Sequence, residues 1–219
     1  MADNRVEALF QNEGELTTRE KILDVAIDSI ARRGFEAVSI RDIAREVGIR
    51  ESSIYNHFRS KDEILDTIIE YFIAELSRSD SSGEPLEAAL AKYGPEGFMQ
   101  MGARAYLSKI NRPRIAKVWR IISIELSRNE KIRKFFLETM IQGPVAFWEQ
   151  TFKRMMELGY IRECDAGALA RAFFYYCTYL IFYYLVIDFD EDTYCRFTEK
   201  LLEDLAPHIR FLIGAVKAT

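Results

Sequence analysis

The sequence of 219 residues contains few cysteines and histidines, which limits the chemistry that it can support. It has three cysteines without a Cys-x-x-Cys spacing and two histidines, His57 and His208. These residues do not fit a disulfide framework or a zinc site, so we expect no metal ion and no other cofactor. The first residues are polar and acidic rather than apolar, unlike a secretory signal, and we expect a reducing, cytoplasmic location.

Glycine, proline and excess positive charge are also scarce. Eleven glycines and five prolines exclude collagen-like and low-complexity chains. Thirty Lys and Arg against 34 Asp and Glu leave a net charge of −4, so the chain has no bulk basic field for coating nucleic acid. DNA binding would therefore depend on a local patch. The apolar content of 49% is typical of a globular protein with a sizeable core.

The longest uncharged run, residues 172–187, has 16 residues. A membrane-spanning helix needs about 20, and shorter runs are more often buried helices. We therefore expect no membrane contact.

The spacing of apolar residues predicts an all-α protein, because they recur three and four positions apart along most of the chain. Residues 1–16 are expected to form a mobile arm, and residues 78–85 a loop. The predicted helices cover 18–33, 40–47, 52–58, 61–77, 86–92, 96–110, 113–128, 130–158 with a break at Gly143-Pro144, 165–187 and 192–213.

Three predicted helix starts carry the same local signal. Thr17 precedes Glu20, Ser39 precedes Asp42 and Ser60 precedes Glu63, each by three residues. A hydroxyl three positions before a carboxylate is the capping-box pattern. It predicts where these helices begin.

Residues 39–58 have the pattern of a helix-turn-helix. The first helix ends at Gly48, a tight turn follows, and Ile54 and Phe58 place one face of the second helix inward. Such a second helix enters the major groove of DNA. On its outward side, Arg50 suits guanine, Glu51 suits cytosine, and Asn56 suits adenine or a phosphate. Other groove-facing candidates are Ser52, Ser53 and Tyr55.

Two further residues have more than one interpretation. Lys61 lies in the first turn of a helix, where a cation opposes the helix dipole, so an anionic phosphate would account for it. Alternatively, it is a solvated lysine offset by Asp62 and Glu63. His57 either packs between helices or contacts a phosphate.

Residues 17–65 resemble the DNA-binding domain of the TetR family of transcriptional regulators. The matching features are Arg-Arg-Gly-Phe at 32–35, Ser-Ile-x-Asp-Ile-Ala at 39–44, Gly-Ile at 48–49 and Tyr-x-His-Phe-x-Ser-Lys at 55–61. The resemblance implies phosphate contacts by Thr17, Ser39, Tyr55, His57 and Lys61, with Ile40 beside them, and base contacts by the turn and the start of the second helix. Arg50 and Glu51 depart from the small or basic residues that are usual there, so no operator sequence carries over.

The same resemblance implies a domain division and partners. It predicts a DNA-binding domain at 17–62 and an effector-binding and dimerisation domain at 63–219. The expected partners are double-stranded operator DNA, a small-molecule effector and a second copy of the chain, paired through the last two long helices. The predicted function is that of a repressor released from a palindromic operator by a small apolar or aromatic compound.

Aromatic residues of the second half are candidates for the effector pocket, although aromatic stripes are more often core. The candidates are Phe72, Phe98, Trp119, Trp148, Phe152, Tyr175, Tyr179, Phe182 and Tyr183.

Competing functions have weaker support. Residues 188–199 place acidic side chains at several calcium-loop positions, but Thr193 stands where the loop needs glycine. The sequence has no Glu-x-x-His pair, nucleophile elbow or phosphate-binding loop, so we expect no enzyme. A helical adaptor for protein partners stays open as an alternative.

Overall fold

The computed structural model describes residues 9–10, 15–77, 84–188 and 196–217, and in these ranges it is helical, as predicted. An isolated antiparallel bridge joins Ile161 to Lys217. The described α-helices are α1 (Thr18–Arg33), α2 (Ile40–Val47), α3 (Glu51–Ile54), α4 (Lys61–Ser77), α5 (Leu86–Ile110), α6 (Pro113–Glu125), α7 (Glu130–Phe135), α8 (Gly143–Glu157), α9 (Ala166–Phe182) and α10 (Phe197–Val216).

The helices belong to two compact units. The N-terminal unit comprises Met1–Ser79 and Arg112–Glu125, and therefore contains α1 to α4 and α6. The C-terminal unit comprises Asp80–Asn111 and Leu126–Thr219, and contains α5 and α7 to α10. The first compact unit thus extends past residue 62 to the end of α4 and includes α6. The functional division at 62/63 stays a prediction.

The core of the N-terminal unit is built on the apolar stripe of α1. Ile22, Ala26 and Ile30 have no exposed surface, as their spacing of four predicts. Ile64, Ile68 and Phe72 on α4 and several residues of α6 are buried in the same unit.

Two of the three predicted capping boxes are complete. The Thr17 hydroxyl accepts from the Glu20 N–H and the Glu20 carboxylate accepts from the Thr17 N–H, and Ser39 and Asp42 repeat the arrangement. The third is only half formed. The Ser60 hydroxyl accepts from the Glu63 N–H at 3.1 Å, but the Glu63 carboxylate accepts from the Arg59 N–H.

Part of the predicted mobile arm is packed. Leu9 is buried, and the Phe10 ring lies edge-on to Tyr71 at 5.1 Å between centroids. The Arg114 guanidinium lies 3.7 Å from the centre of the Phe10 ring, and the Phe10 N–H donates to Glu20 at 2.6 Å. The expectation of mobility for 1–8 and 11–14 lies outside the described residues.

Helices of the C-terminal unit depart from regular α geometry at three places. The backbone of α5 breaks at Gly94 (φ 66°, ψ 175°), where two predicted helices meet. A π-helical segment, Phe136–Gln142, separates α7 from α8 where a break was predicted, and a second one, Tyr183–Ile187, follows α9. The predicted helix start at Asp192, most of the loop 78–85, most of the acidic segment 188–199 and Cys195 lie outside the described residues.

The uncharged run lies in the helical stretch Ala166–Ile187, which is long and apolar enough by composition to cross a membrane. Core helices of soluble proteins meet the same criterion. Phe173, Leu180 and Leu185 of this stretch are buried within the chain itself.

Candidate DNA-binding surface and effector cavity

The helix-turn-helix is closed by hydrogen bonds at Gly48. Gly48 adopts the left-handed conformation (φ 81°, ψ 28°), and its N–H and that of Ile49 both donate to the Ala44 carbonyl at 3.0 Å. This is the usual way in which glycine ends a helix. The chain then enters α3 through Arg50, which has extended backbone angles and no side-chain bond to the helix start.

The second helix of the motif is shorter than the predicted 52–58. Regular α3 covers only Glu51–Ile54, and Tyr55–His57 form turns. One helical hydrogen bond continues, from the Phe58 N–H to the Ile54 carbonyl at 2.9 Å. Ile54 and Phe58 are both buried, so the short helix is held by the two apolar anchors that the spacing predicted.

The predicted DNA contacts all retain solvent exposure. Thr17, Ser39, Arg50, Glu51, Ser52, Tyr55 and Asn56 are exposed, and Ile40, Ser53, His57 and Lys61 are partly exposed. For His57 this is short of full burial between helices. The placement is compatible with both the base and the phosphate contacts, which stay predictions.

The hydroxyl groups of Thr17 and Ser39 already have acceptors. Thr17 donates to the Glu20 carboxylate and Ser39 to the Asp42 carboxylate, each at 2.6 Å. The Ser39 hydroxyl and backbone hydrogen bonds lower the pKa of Asp42, so the carboxylate is charged at neutral pH. Because a hydroxyl has one hydrogen to donate, either serine or threonine must release its carboxylate before it donates to a phosphate.

Lys61 has a partner that neither sequence interpretation included. Its ammonium donates to the Phe35 carbonyl at 2.9 Å and lies 4.2 Å from the centre of the Phe35 ring. An ammonium has three donors, so this bond does not prevent an additional contact with an anion.

The C-terminal unit contains an apolar cavity of about 470 Å³. No charged side chain is among the residues that line it, and its polar side-chain groups are the Tyr106 hydroxyl, the Trp148 indole N–H and the Cys177 thiol. The Trp148 ring contacts the rings of Phe98, Phe147, Phe152 and Phe173 at centroid distances of 4.6–6.1 Å. The lining residues are Phe98, Gly102, Ala103, Tyr106, Leu107, Gly143, Pro144, Phe147, Trp148, Phe173, Phe174, Cys177, Ile181, Leu201 and Leu205.

The structure brings two of the nine predicted pocket residues, Phe98 and Trp148, into the lining of this cavity. Phe152 is fully buried against the Trp148 ring.

The other six predicted residues lie elsewhere. Phe72 and Trp119 are buried in the N-terminal unit, and Tyr175 is half exposed on α9. Tyr179 and Tyr183 line a separate cleft of about 530 Å³ between α9 and α10, and Phe182 is partly exposed.

Most lining residues are not aromatic, so a search for aromatic side chains missed them. Gly102 is informative because a Cβ atom there would lie 3.8 Å from Cη2 and Cζ2 of Trp148. The missing side chain leaves room beside the indole. Burial raises the pKa of Cys177 to about 12, so this lining thiol is neutral. Gly143 and Pro144 were recognised as a helix break, which was the available signal for that wall.

Comparison with known proteins agrees with these features. Residues 22–68 match the family model described as "Bacterial regulatory proteins, tetR family". The HTH-type transcriptional repressor KstR2 of Mycobacterium tuberculosis is 31% identical over 138 residues, which cover 59% of this chain and 68% of that protein.

Solved structures share the fold over most of the chain. A complex of SmeT with triclosan has a TM-score of 0.62 at 20% identity and covers 91% of both chains. AibR in complex with isovaleryl coenzyme A and operator DNA has a TM-score of 0.59 at 20% identity and covers 87% of this chain and 99% of that one. From the matched domain, the KstR2 identity and the helix-turn-helix geometry, the chain belongs to the TetR family of bacterial transcriptional regulators.

Proposed function

We propose that this protein is a transcriptional repressor that binds a palindromic operator as a homodimer and is released from it by an uncharged apolar or aromatic effector. The observation that carries the effector assignment is the 470 Å³ cavity whose lining has no charged side chain. A charged ligand group would lose its hydration there without gaining an ionic partner. The volume lies within the range of small-molecule sites.

The relatives support ligand-responsive DNA binding. KstR2 is named a transcriptional repressor, and structural neighbours are complexes with triclosan and with isovaleryl coenzyme A and operator DNA. The cavity described here favours a compound, or a part of one, that is neutral and lipophilic. We therefore propose that Trp148 and Phe98 stack against it and that Tyr106 or Cys177 orients it by a hydrogen bond.

The proposed DNA contacts are those predicted from the sequence, within a DNA-binding domain at 17–62. Support comes from the exposure of Arg50, Glu51 and Asn56 at the start of the second motif helix. In this proposal Arg50 and Asn56 read base edges, whereas Tyr55 and Lys61 contact phosphates.

The proposed dimer interface is the outer face of α9 and α10. Tyr175 and Tyr179 on α9 are about half exposed, and Phe211 on α10 is 73% exposed. Soluble monomers rarely leave a contiguous apolar surface of this kind in water. A second copy is the proposed occupant, because two helix-turn-helix motifs spaced by one DNA turn are what a palindrome requires. A monomeric mass by light scattering would contradict this interface.

No enzymatic role is included in the proposal, in keeping with the family. Residues 63–219 are proposed to bind the effector and to dimerise.

The experiment combines binding-site selection with calorimetry. Selection from random DNA with the full-length protein should yield a palindrome, and Arg50→Ala should change the preferred bases at particular positions. The neutral fluorescent probe N-phenyl-1-naphthylamine should bind the wild type, and Gly102→Phe should abolish that binding by filling the cavity. Unchanged probe binding by Gly102→Phe would place the effector elsewhere.

Coupling between the two sites is tested with an effector found by screening. Operator DNA should weaken effector binding by the same factor by which the effector weakens operator binding, typically about 5–150-fold. Equal effector affinity with and without operator would refute release by this mechanism.

A further inference from the structure

The peptide groups of Phe35 are bound on both sides by charged side chains. Phe35 lies in the segment between α1 and α2, and its side chain is buried. Its N–H donates to Glu125 Oε1 at 2.8 Å, and its carbonyl accepts from Lys61 Nζ at 2.9 Å. Glu125 therefore connects to Lys61 through a single residue, although the two are far apart in sequence.

The Glu125 carboxylate occupies a site that the surrounding backbone accommodates. Glu125 is only 2% exposed and is the last residue of α6. Gly34 has a φ of +84°, and a Cβ atom there would lie 3.4 Å from Glu125 Oε1. A buried carboxylate is costly unless it is hydrogen-bonded, and the Phe35 N–H supplies such a bond.

The Phe35 ring restricts Lys61 as well. The Lys61 ammonium lies 4.2 Å from the ring centre, within the range of a cation–π contact. The carbonyl and the ring together hold a flexible side chain that would otherwise sample many rotamers. If Phe35 shifts, both contacts with the ammonium change together.

We propose that Glu125 is a positioning residue for DNA binding, which fixes Phe35 and through it the Lys61 ammonium for contact with a phosphate. This inference rests on the proposed function, in which Lys61 contacts the DNA backbone. It adds a residue outside the helix-turn-helix to the determinants of DNA affinity. Glu125 is followed in the chain by Leu126, the first residue of that segment of the C-terminal unit.

The test measures the salt dependence of binding to a random-sequence DNA duplex, which needs no knowledge of the operator. One phosphate contact contributes about 0.9 to the slope of log affinity against log salt concentration. Glu125→Leu removes the acceptor, so its slope should be less steep by about one, the same change as in Lys61→Met. Combining the two substitutions should change the slope no further.

Two matched variants separate positioning from folding. In Glu125→Gln the amide oxygen can still accept from Phe35, so the slope should stay at the wild-type value. Glu125→Asp keeps the charge but withdraws the acceptor by one methylene, so it should behave like Glu125→Leu. If Glu125→Leu does not fold, Glu125→Asp carries the test. The folded fraction of each variant is followed by circular dichroism.

The outcomes distinguish this inference from the proposed function. Wild-type slopes in both Glu125→Asp and Glu125→Leu, with lowered thermal stability alone, would overturn the positioning role. A slope in Lys61→Met equal to that of the wild type would overturn it too, because no phosphate contact would be present to position. If the wild type itself showed no salt-dependent DNA binding, the proposed function would fail, and this inference with it.

Discussion

The two compact units of this chain are stabilised by different kinds of interaction. In the N-terminal unit, ion pairs join separate elements: Arg114 binds Asp24 at 2.7 Å, and Lys117 binds Asp28 at 2.6 Å. Arg112 of the same segment binds Glu75 at 2.6 Å. These directional bonds tie α6 and the residue before it to α1 and α4. Exposed pairs contribute only about 0–1 kcal/mol each, so their main effect is on geometry.

Most described ion pairs of the C-terminal unit are local instead. Lys153 with Glu149, Lys134 with Glu138 and Arg154 with Glu157 each lie three or four residues apart on one turn of helix. An exception in this unit is Arg154 with Glu87. This unit also has the apolar cavity, the break at Gly94 and the two π-helical segments.

The difference corresponds to two physical requirements. A DNA-reading surface must keep its side chains in one arrangement, which caps and directional bonds between helices provide. A cavity requires that neighbouring helices do not pack to full density. Irregular helical geometry, which is often found at functional sites, produces that. The comparison therefore predicts that the units respond differently to substitution.

The largest expected effect follows from removing a buried ring in the N-terminal unit. Phe58 is 1% exposed, and Phe58→Ala should lower the free energy of unfolding of this unit by about 3–5 kcal/mol. Phe147 lines the cavity but is 59% exposed, and Phe147→Ala should change the free energy of unfolding by only about 0.5 kcal/mol. Urea unfolding followed by circular dichroism measures both. Equal losses would remove the distinction between core and cavity rim.

An intermediate effect is expected when a side chain is enlarged. Ala26 of α1 has no exposed surface, so Ala26→Leu should overpack the N-terminal core and cost about 1–3 kcal/mol of stability. Gly102→Leu should cost nothing or stabilise, because its side chain enters the cavity and glycine is unfavourable within a helix. The melting temperatures of the two variants give the comparison. A marked loss for Gly102→Leu would show that the cavity cannot accept added volume.

The smallest expected effect is on the pH dependence of the N-terminal unit. The Ser39 hydrogen bonds lower the pKa of Asp42 below its usual value of 3.8. The stability that this carboxylate contributes is therefore fully present above pH 3.8 and is lost as the pH falls through the lowered pKa. Asp42→Asn should be less stable than the wild type at neutral pH, and the difference should shrink in acid.

Urea midpoints of wild type and Asp42→Asn across this range measure the effect. Glu130→Gln, a change at an exposed first-turn carboxylate of α7 in the C-terminal unit, serves as the control. A difference between wild type and Asp42→Asn that does not vary with pH would contradict the capping explanation.

Much of the N-terminal unit was predictable, because its signals are local. The start of α2 at Ser39 and its end at Gly48 were predicted from single residues, and both are confirmed. The predicted length of the helix after the turn was wrong, since regular geometry ends at Ile54 rather than at Phe58. The spacing of Ile54 and Phe58 is equally satisfied by a short helix followed by turns, so periodicity could not separate the two.

Less of the cavity was predictable. Aromatic character selected Phe98 and Trp148 correctly as lining residues, but it also selected Phe72 and Trp119, which are buried in the other unit. An aromatic side chain has the same sequence signature in a core as in a cavity wall. Gly102 was not selected, because its importance depends on which side chain it faces.

The sequence by itself determined the helical class, the positions of the capped helix ends and the family to which the chain belongs. Each of these depends on residues within about one helical turn of each other, such as Thr17 with Glu20, or on a contiguous motif. The tertiary structure alone decided which walls enclose the cavity and which partners Phe35 has. Gly102 meets Trp148, and Glu125 meets Phe35, only after helices distant in sequence have packed. Local hydrogen-bonding rules carry no information about that packing, which depends on the shape and burial of whole helix faces.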